Sequence, residues 1–163
     1  MKQYTKYTFF YKMRHPFSNW HPAKFVDQNG VTYTCSEQYM MYQKAMLFND
    51  SEIAQEILMT HDPKEQKELG RKVKGFNSEV WEKHAKQIVY DGCALKFMQN
   101  QKMLDALVST DGTLLVEASP YDKVWGIGLA EDDERIHDPA NWRGTNWLGE
   151  VLTMLREDIL ETI

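Results

Sequence analysis

A glutamate and a lysine stand seven positions apart in Glu37-Gln38-Tyr39-Met40-Met41-Tyr42-Gln43-Lys44, a stretch otherwise rich in large apolar and aromatic side chains. At about 3.6 residues per helical turn, that step returns to the same stripe of a helix. A carboxyl and an amine would then line one face, two turns apart, with Met40 and Met41 between them. A carboxyl so placed can protonate a leaving group and afterwards activate water, and a neutral amine can attack an electrophilic carbon to give an imine. A structural reading competes. Thr34-x-x-Glu37 has the spacing of a capping box, with Thr34 capping the N3 amide and Glu37 reaching back to the Thr34 amide, and spacing alone favours it.

The elements that must position this pair follow from periodicity and turn chemistry. Tyr7 to Tyr11, Lys24 to Val26 and Val31 to Tyr33 are rich in aromatic and β-branched residues, and the last two flank Asp27-Gln28-Asn29-Gly30, whose Asn-Gly signals a hairpin turn. Helical patterns run from about Cys35 to Phe48 and from Ser51, read as the cap, to Met59. Asp62-Pro63-Lys64-Glu65 opens another helix, which Gly70 or Gly75 can end. Ser78 introduces the longest stretch, with Val80, Trp81, Ala85, Ile88, Val89, Ala94, Leu95 and Phe97 available to a core and Gly92 weakening it midway. A short helix after Asn100, a strand Leu114 to Glu117 and a closing helix from about Asn146 to Leu160 complete the chain. The expected fold is α+β: one helix-dominated domain over residues 1–163, with a small N-terminal β-hairpin region and one further short strand.

Composition narrows the classes. At 163 residues and 42% hydrophobic, the chain is sized for a single core. No apolar run approaches the roughly 18 to 20 residues of a membrane span, and Met1-Lys2-Gln3-Tyr4 begins no signal-peptide core, so a cytoplasmic protein that makes no membrane contact is expected. The two cysteines and five histidines show no disulfide or metal-ligand spacing, so no metal and no cofactor is expected. A net charge of −5 argues against broad adhesion to nucleic acid and for a small partner.

The stretch 118–143 is longer than the roughly 12 to 15 residues at which structureless loops become uncommon, which marks it as functional or mobile. It carries Asp122-Lys123-Val124-Trp125-Gly126-Ile127-Gly128. Trp125 offers a flat face on which a base or sugar could stack, and Gly126 and Gly128 permit close backbone approach. Gly-Ile-Gly lacks the third glycine and the βαβ setting of a dinucleotide fingerprint. Taken singly, Trp125 reads better as a core plug and Asp122 as a turn residue. For a phosphate, Lys64, Lys67, Arg71 and Lys74 recur at helical spacing and form a basic stripe if the helix persists that far; the lysines read better as a solvated face paired with Glu65 and Glu68, and Arg71 as an anchor through its bidentate fork. Arg143 and Asn146 sit where the closing helix would offer free amides to an anion, whereas Arg156 is as well explained by a structural ion pair. The run Glu131-Asp132-Asp133-Glu134 reads as a solvated loop.

Taken together, the segments resemble one family along nearly the whole chain. Phe17-Ser18-Asn19-Trp20, Thr34-Cys35-Ser36-Glu37-Gln38-Tyr39 through Gln43-Lys44-Ala45, Leu69-Gly70-Arg71-Lys72-Val73, Trp81, Glu117-Ala118-Ser119-Pro120 with Asp122 and Trp125-Gly126-Ile127-Gly128, and Trp142-Arg143-Gly144-Thr145-Asn146 with Leu148-Gly149 and Leu155-Arg156 resemble, in order and spacing, the NADAR or YbiA-like domains. Trp20 departs from the phenylalanine usual there. The resemblance implies a YbiA-like fold and an N-glycosidase. One branch of the family acts on ribosylamino-pyrimidine phosphates of riboflavin biosynthesis, and another removes ADP-ribose from modified guanine in DNA. It implies Glu37, Lys44 and Asp122 as catalytic residues, and Trp81, Trp125, Gly126, Arg71, Asn19, Arg143 and Asn146 as substrate-binding ones.

Both substrate types carry ribose on an exocyclic amine. Such an aminal can open to an imine that Lys44 intercepts as a Schiff base, or be displaced through an oxocarbenium ion with Glu37 and Asp122 as the two carboxylates; the first ranks higher. Burial would lower the Lys44 pKa and a charged Glu37 would raise it, and sequence does not give the winner. The alternative from another class is a non-catalytic module binding ADP-ribose or NAD through Trp125, Trp81 and Arg71.

Overall fold

The computed structural model describes residues 3–162. The chain forms two compact units, one from Asn19–Gln101 and the other from the segments on either side, up to Ser18 and from Lys102 onward.

The Asn19–Gln101 unit is an antiparallel hairpin and four helices. Strands β2 (Phe25–Val26) and β3 (Thr32–Tyr33) pair Phe25 with Tyr33, and the Asp27 carboxylate holds the turn by accepting from the amides of Asn29 and Val31 and from the Tyr33 hydroxyl at 2.8–3.0 Å. Helix α1 (Ser36–Leu47) packs against α2 (Ser51–Leu58), α3 (Pro63–Gly70) and α4 (Ser78–Met98). That central position explains why α1 buries its whole first turn and a half, Ser36 to Met41, polar residues included. Asp62 caps α3 through the Lys64 amide, with Pro63 in the first turn as its spacing implies. The cap of α2 lies one residue before the expected Ser51, with Asp50 accepting from Ile53 N, and α4 begins at Ser78 as expected, capped by Asn77, which accepts from Glu79 N and Val80 N. Helix α4 runs unbroken through Gly92, where a Cβ would lie 2.5 Å from Tyr39 Cδ1; the glycine admits a ring of α1. Helix α3 ends at Gly70, so Arg71 is its C-cap and Lys74 lies beyond it, and the condition for a four-residue basic stripe, a helix persisting that far, is not met.

The other unit is built on two strands in parallel. β1 (Tyr7–Phe10) pairs with β4 (Leu114–Glu117) from Tyr7 against Leu114 to Phe10 against Glu117, so β1 is no part of the hairpin. Helix α5 (Gln101–Val108) precedes β4, and α6 (Trp147–Glu161) packs against it. Between them the stretch 118–143 contains only two short 3-10 turns, Glu134–His137 and Pro139–Asn141. Its core joins Val116, Ile127, Leu129 and Ile136 to Tyr7, Phe9, Leu114 and Trp142. Arg156, fully buried on α6, bonds Thr110 and the Tyr4 hydroxyl and pairs with Glu157 at 2.8 Å, the structural role its place in the sequence suggested.

Candidate active site

The start of α1 is fixed by Gln38 and not by Glu37. Cys35 occupies the N-cap without a side-chain capping bond, and the Gln38 side-chain oxygen accepts from the Thr34 amide at 2.8 Å and the Thr34 hydroxyl at 3.1 Å. The Gln38 amide group donates to the carbonyls of Ile57 and Thr60, Gln66 donates to Thr60 as well, and the Cys35 thiol donates to Gln66. The capping box is thereby overturned: Cys35 in extended geometry takes the cap, moving Gln38 into the N3 position that a capping side chain needs. Glu37 is not the capping partner of Thr34. It is buried, and its amide donates to the Asn19 carbonyl at 2.9 Å.

Seven residues on, Lys44 is half-buried beneath two aromatic rings, its Nζ 4.7 Å from the Phe76 centroid and 5.7 Å from that of Trp81. Burial pushes the Lys44 pKa below its ordinary value; the Glu37 charge opposes the shift and the Arg71 charge adds to it. The winner left open by the sequence is therefore desolvation. Met40 and Met41 are buried beside the pair, and Met41 packs on Gly70, where a Cβ would collide with its sulfur. Phe76, exposed and stacked edge-on against Phe48 at 5.4 Å, is a contributor that sequence reasoning missed. Its only signal was an apolar residue standing alone between Gly75 and the Asn77 cap.

Thus Glu37, Lys44, Trp81, Arg71 and Asn19 all belong to the Asn19–Gln101 unit, and Asp122, Trp125, Gly126, Arg143 and Asn146 to the other. In that second group most polar atoms serve the loop itself. Ser119 Oγ accepts from the amides of Tyr121 and Asp122, and Asp122 Oδ1 accepts from those of Val124 and Trp125 at 2.9 and 2.8 Å. The Trp125 ring meets Trp147 edge-on at 5.5 Å. Gly126 permits a close approach, as read from sequence, but to protein: its Cβ would lie 2.9 Å from the Glu117 carbonyl and 3.0 Å from that of Asp122. Asn146 is buried, its side-chain oxygen accepting from Glu117 N and its amide donating to the Leu115 carbonyl, both at 3.0 Å. The α6 amides of Trp147 and Leu148 donate to the carbonyls of Val124 and Trp125. The anion site expected at that helix start is therefore filled by the loop backbone. Arg143 is exposed, and its charge helps hold the Asp133 carboxyl down, second to the Arg135 pairing that takes it to about 2.

Among the described residues, no group of three or more His, Cys, Asp or Glu is placed to hold a metal ion, and no helix is long and apolar enough to cross a membrane.

Comparison with known proteins shows which family this α+β fold belongs to. The NADAR domain model matches residues 9–160, and the chain belongs to that family. It is 41% identical to protein irg-1 of Caenorhabditis elegans, over 94% of this chain and 79% of that protein. An N-glycosidase of Acanthamoeba polyphaga mimivirus is likewise 41% identical, over 94% of this chain and 96% of its own. The solution structure of Escherichia coli YbiA superposes with a TM-score of 0.79 at 26% identity, covering 99% of this chain and 89% of that one. The YbiA-like α+β fold expected from sequence is the fold observed.

Proposed function

We propose that this protein is an N-glycosidase that hydrolyses the bond between ribose and an exocyclic amine of a base. The observation that carries the reading is the α1 face: a buried acid and, two turns on, a lysine whose pKa burial lowers. A binding module needs neither group. The similarity to the mimiviral N-glycosidase, nearly full-length on both sides, supports the reaction class.

In the mechanism we favour, the ring oxygen departs from C1 and gains the proton that the exocyclic nitrogen loses, leaving an imine between C1 and the base nitrogen. Neutral Lys44 adds to C1. Glu37 protonates the base nitrogen, which leaves as the free amine while Lys44 retains C1 as an imine; Glu37, now a carboxylate, activates the water that hydrolyses it. The rings of Phe76 and Trp81 favour the ammonium form, whereas desolvation favours the neutral amine that the attack requires and lowers the Lys44 pKa. Within the Asn19–Gln101 unit Arg71 is assigned to substrate contact, and in the other unit Asp122 is assigned to holding the Trp125 loop in shape.

The aglycone we put first is a pyrimidine ribosyl phosphate of the riboflavin type, because a net charge of −5 disfavours an extended nucleic-acid footprint. ADP-ribosyl-guanine in DNA is the competing substrate. Two free, buried cysteines support a reducing, cytoplasmic setting. The test is chromatographic separation of products after incubation with each substrate. Release of free base by the wild-type chain, and none by Glu37→Gln or Lys44→Ala with unchanged folding, is expected. Release from neither substrate, with retained binding of ADP-ribose, would replace the enzyme by a binding module.

A further inference from the structure

The ring of Phe76 borders the amine to which the substrate would bond. Lys44 Nζ stands over its face, 4.7 Å from the centroid, and is nearer to it than to Trp81 at 5.7 Å. A single exposed apolar side chain is ordinary on a protein surface, so the 45% exposure of Phe76 says little alone. Its anchoring says more. Phe76 meets Phe48 edge-on at 5.4 Å, and Phe48 is the C-cap of α1, its amide donating to the Lys44 carbonyl at 3.3 Å. In the chain Phe76 is held between Gly75, at a left-handed φ of 77°, and Asn77, which caps α4 by accepting from the amides of Glu79 and Val80. A partly uncovered aromatic ring is thereby tied to the end of the helix that carries the amine.

Covalent geometry limits what can lie against that ring. Once Lys44 bonds C1, that carbon is about 1.5 Å from Nζ and the exocyclic nitrogen of the base roughly 2.5 Å, as ordinary bond lengths and angles require. The base ring begins one bond further on, within van der Waals reach of a phenyl ring centred 4.7 Å from Nζ. Phe76 has no polar atom with which to hold a sugar hydroxyl or a phosphate, whereas every heterocyclic base presents a flat π-face. We propose that Phe76 stacks on the ring of the departing base, and so favours heterocyclic over alkyl amines as leaving groups. The proposal rests on the N-glycosidase reading, with Lys44 as nucleophile, and supplies the contact that recognises the aglycone.

The experiment titrates the full chain calorimetrically with 2,4-diamino-6-hydroxypyrimidine, a free aminopyrimidine, and with ribose 5-phosphate, while thermal melts monitor the fold. The chains compared are the wild type, Phe76→Leu, Phe76→Trp, Lys44→Met and the Lys44→Met, Phe76→Leu double variant. Phe76→Leu keeps apolar bulk and loses the flat face, so it is expected to bind the pyrimidine about five- to tenfold more weakly than the wild type, the lower end of what one base–aromatic stack is worth. Phe76→Trp should bind it at least as tightly as the wild type, and neither change should alter the affinity for ribose 5-phosphate. The same loss is expected from Phe76→Leu in the Lys44→Met background, because the contact is with the base and not with the ammonium. A ring that only tunes Lys44 gives no loss there. That result would overturn the proposal, as would wild-type affinity in Phe76→Leu, equal losses for the two ligands, or a wild-type chain that does not bind the pyrimidine. The two claims fail separately. Ring-dependent pyrimidine binding without turnover of any ribosylamine removes the glycosidase and leaves the base platform, and turnover with pyrimidine affinity and kcat/KM unchanged in Phe76→Leu does the reverse.

Discussion

On the α1 face, ionisable groups are withdrawn from water: Glu37 is buried, and Lys44 is half-buried under two rings with its pKa pushed down. In the Trp125 loop, Ser119, Asp122 and Asn146 donate or accept within their own unit, and even the first amides of α6 are capped by loop carbonyls. The family motif runs through both regions, and the physics divides them. One buries an acid and a partly desolvated lysine; the other ties its polar atoms into the loop around an indole.

Substitutions should separate the two. Glu37→Gln and Lys44→Ala are expected to lower kcat on the order of 10² to 10⁴, as for loss of an acid–base group or nucleophile, with little change in melting temperature. Asp122→Ala should act through misplacement of Trp125, with a smaller loss of roughly 10² at most and a lower melting temperature, and Asp122→Asn, which keeps the accepting oxygen, should be close to wild type. Steady-state kinetics beside thermal melts decides; an Asp122→Asn variant as dead as Glu37→Gln would restore Asp122 as a reacting carboxylate.

Glycines sharpen the contrast at the level of packing. Gly126→Ala drives a methyl against the Glu117 carbonyl at the end of β4 and the Asp122 carbonyl of its own loop, and Gly92→Ala drives one into the Tyr39 ring. Each should cost about 1–3 kcal/mol in denaturant unfolding, the usual penalty of overpacking. Activity should fall only where the displaced element carries the site, so a Gly92→Ala variant with lost stability and full kcat would show that α1 tolerates displacement.

How much of this was legible differs between the regions for the same reasons. The Asp62-Pro63 start of α3, the Asn-Gly hairpin and the strand at Leu114 were readable because each is specified by neighbouring residues. Glu37 and Lys44 were readable as a stripe, since a helix makes seven-residue spacing a fact of geometry. The parallel pairing of β1 with β4 was not, because it joins residues more than a hundred positions apart. Thr34-x-x-Glu37 misled because a neighbouring residue, Gln38, competes for the same capping bond and wins through its contacts with Ile57 and Thr60. The fate of Asn146 and of the α6 amides depends on where the Trp125 loop folds back, which no local pattern encodes. Lys96, fully buried on α4, was invisible for the opposite reason: a charged residue in a helix is read as solvent-facing.

Lys96 also yields a prediction from pH. Burial lowers its pKa to about 8 from 10.5, so between those values the unfolded chain binds more protons and stability rises with pH. The buried thiols of Cys35 and Cys93, pushed up to about 11 from 9.0, act oppositely above pH 9. Relative to Lys96→Met, the wild-type chain should therefore gain stability between about pH 8 and 10.5; parallel curves in denaturant melts would contradict the buried ammonium. The smallest effect belongs to Arg71. Removing its like charge in Arg71→Gln should raise the Lys44 pKa slightly and move the rising limb of the kcat profile to higher pH, and an unmoved or downward-shifted limb would detach Arg71 from Lys44.

The most direct measurement is borohydride trapping during turnover of a ribosylamine substrate, followed by peptide mass mapping. Attack by the α1 amine predicts a reduced sugar adduct on Lys44, absent from Lys44→Ala and accumulating in Glu37→Gln only if protonation of the base is not required for its departure. An unmodified Lys44 in the wild-type chain, together with a fully active Lys44→Arg variant, would contradict it.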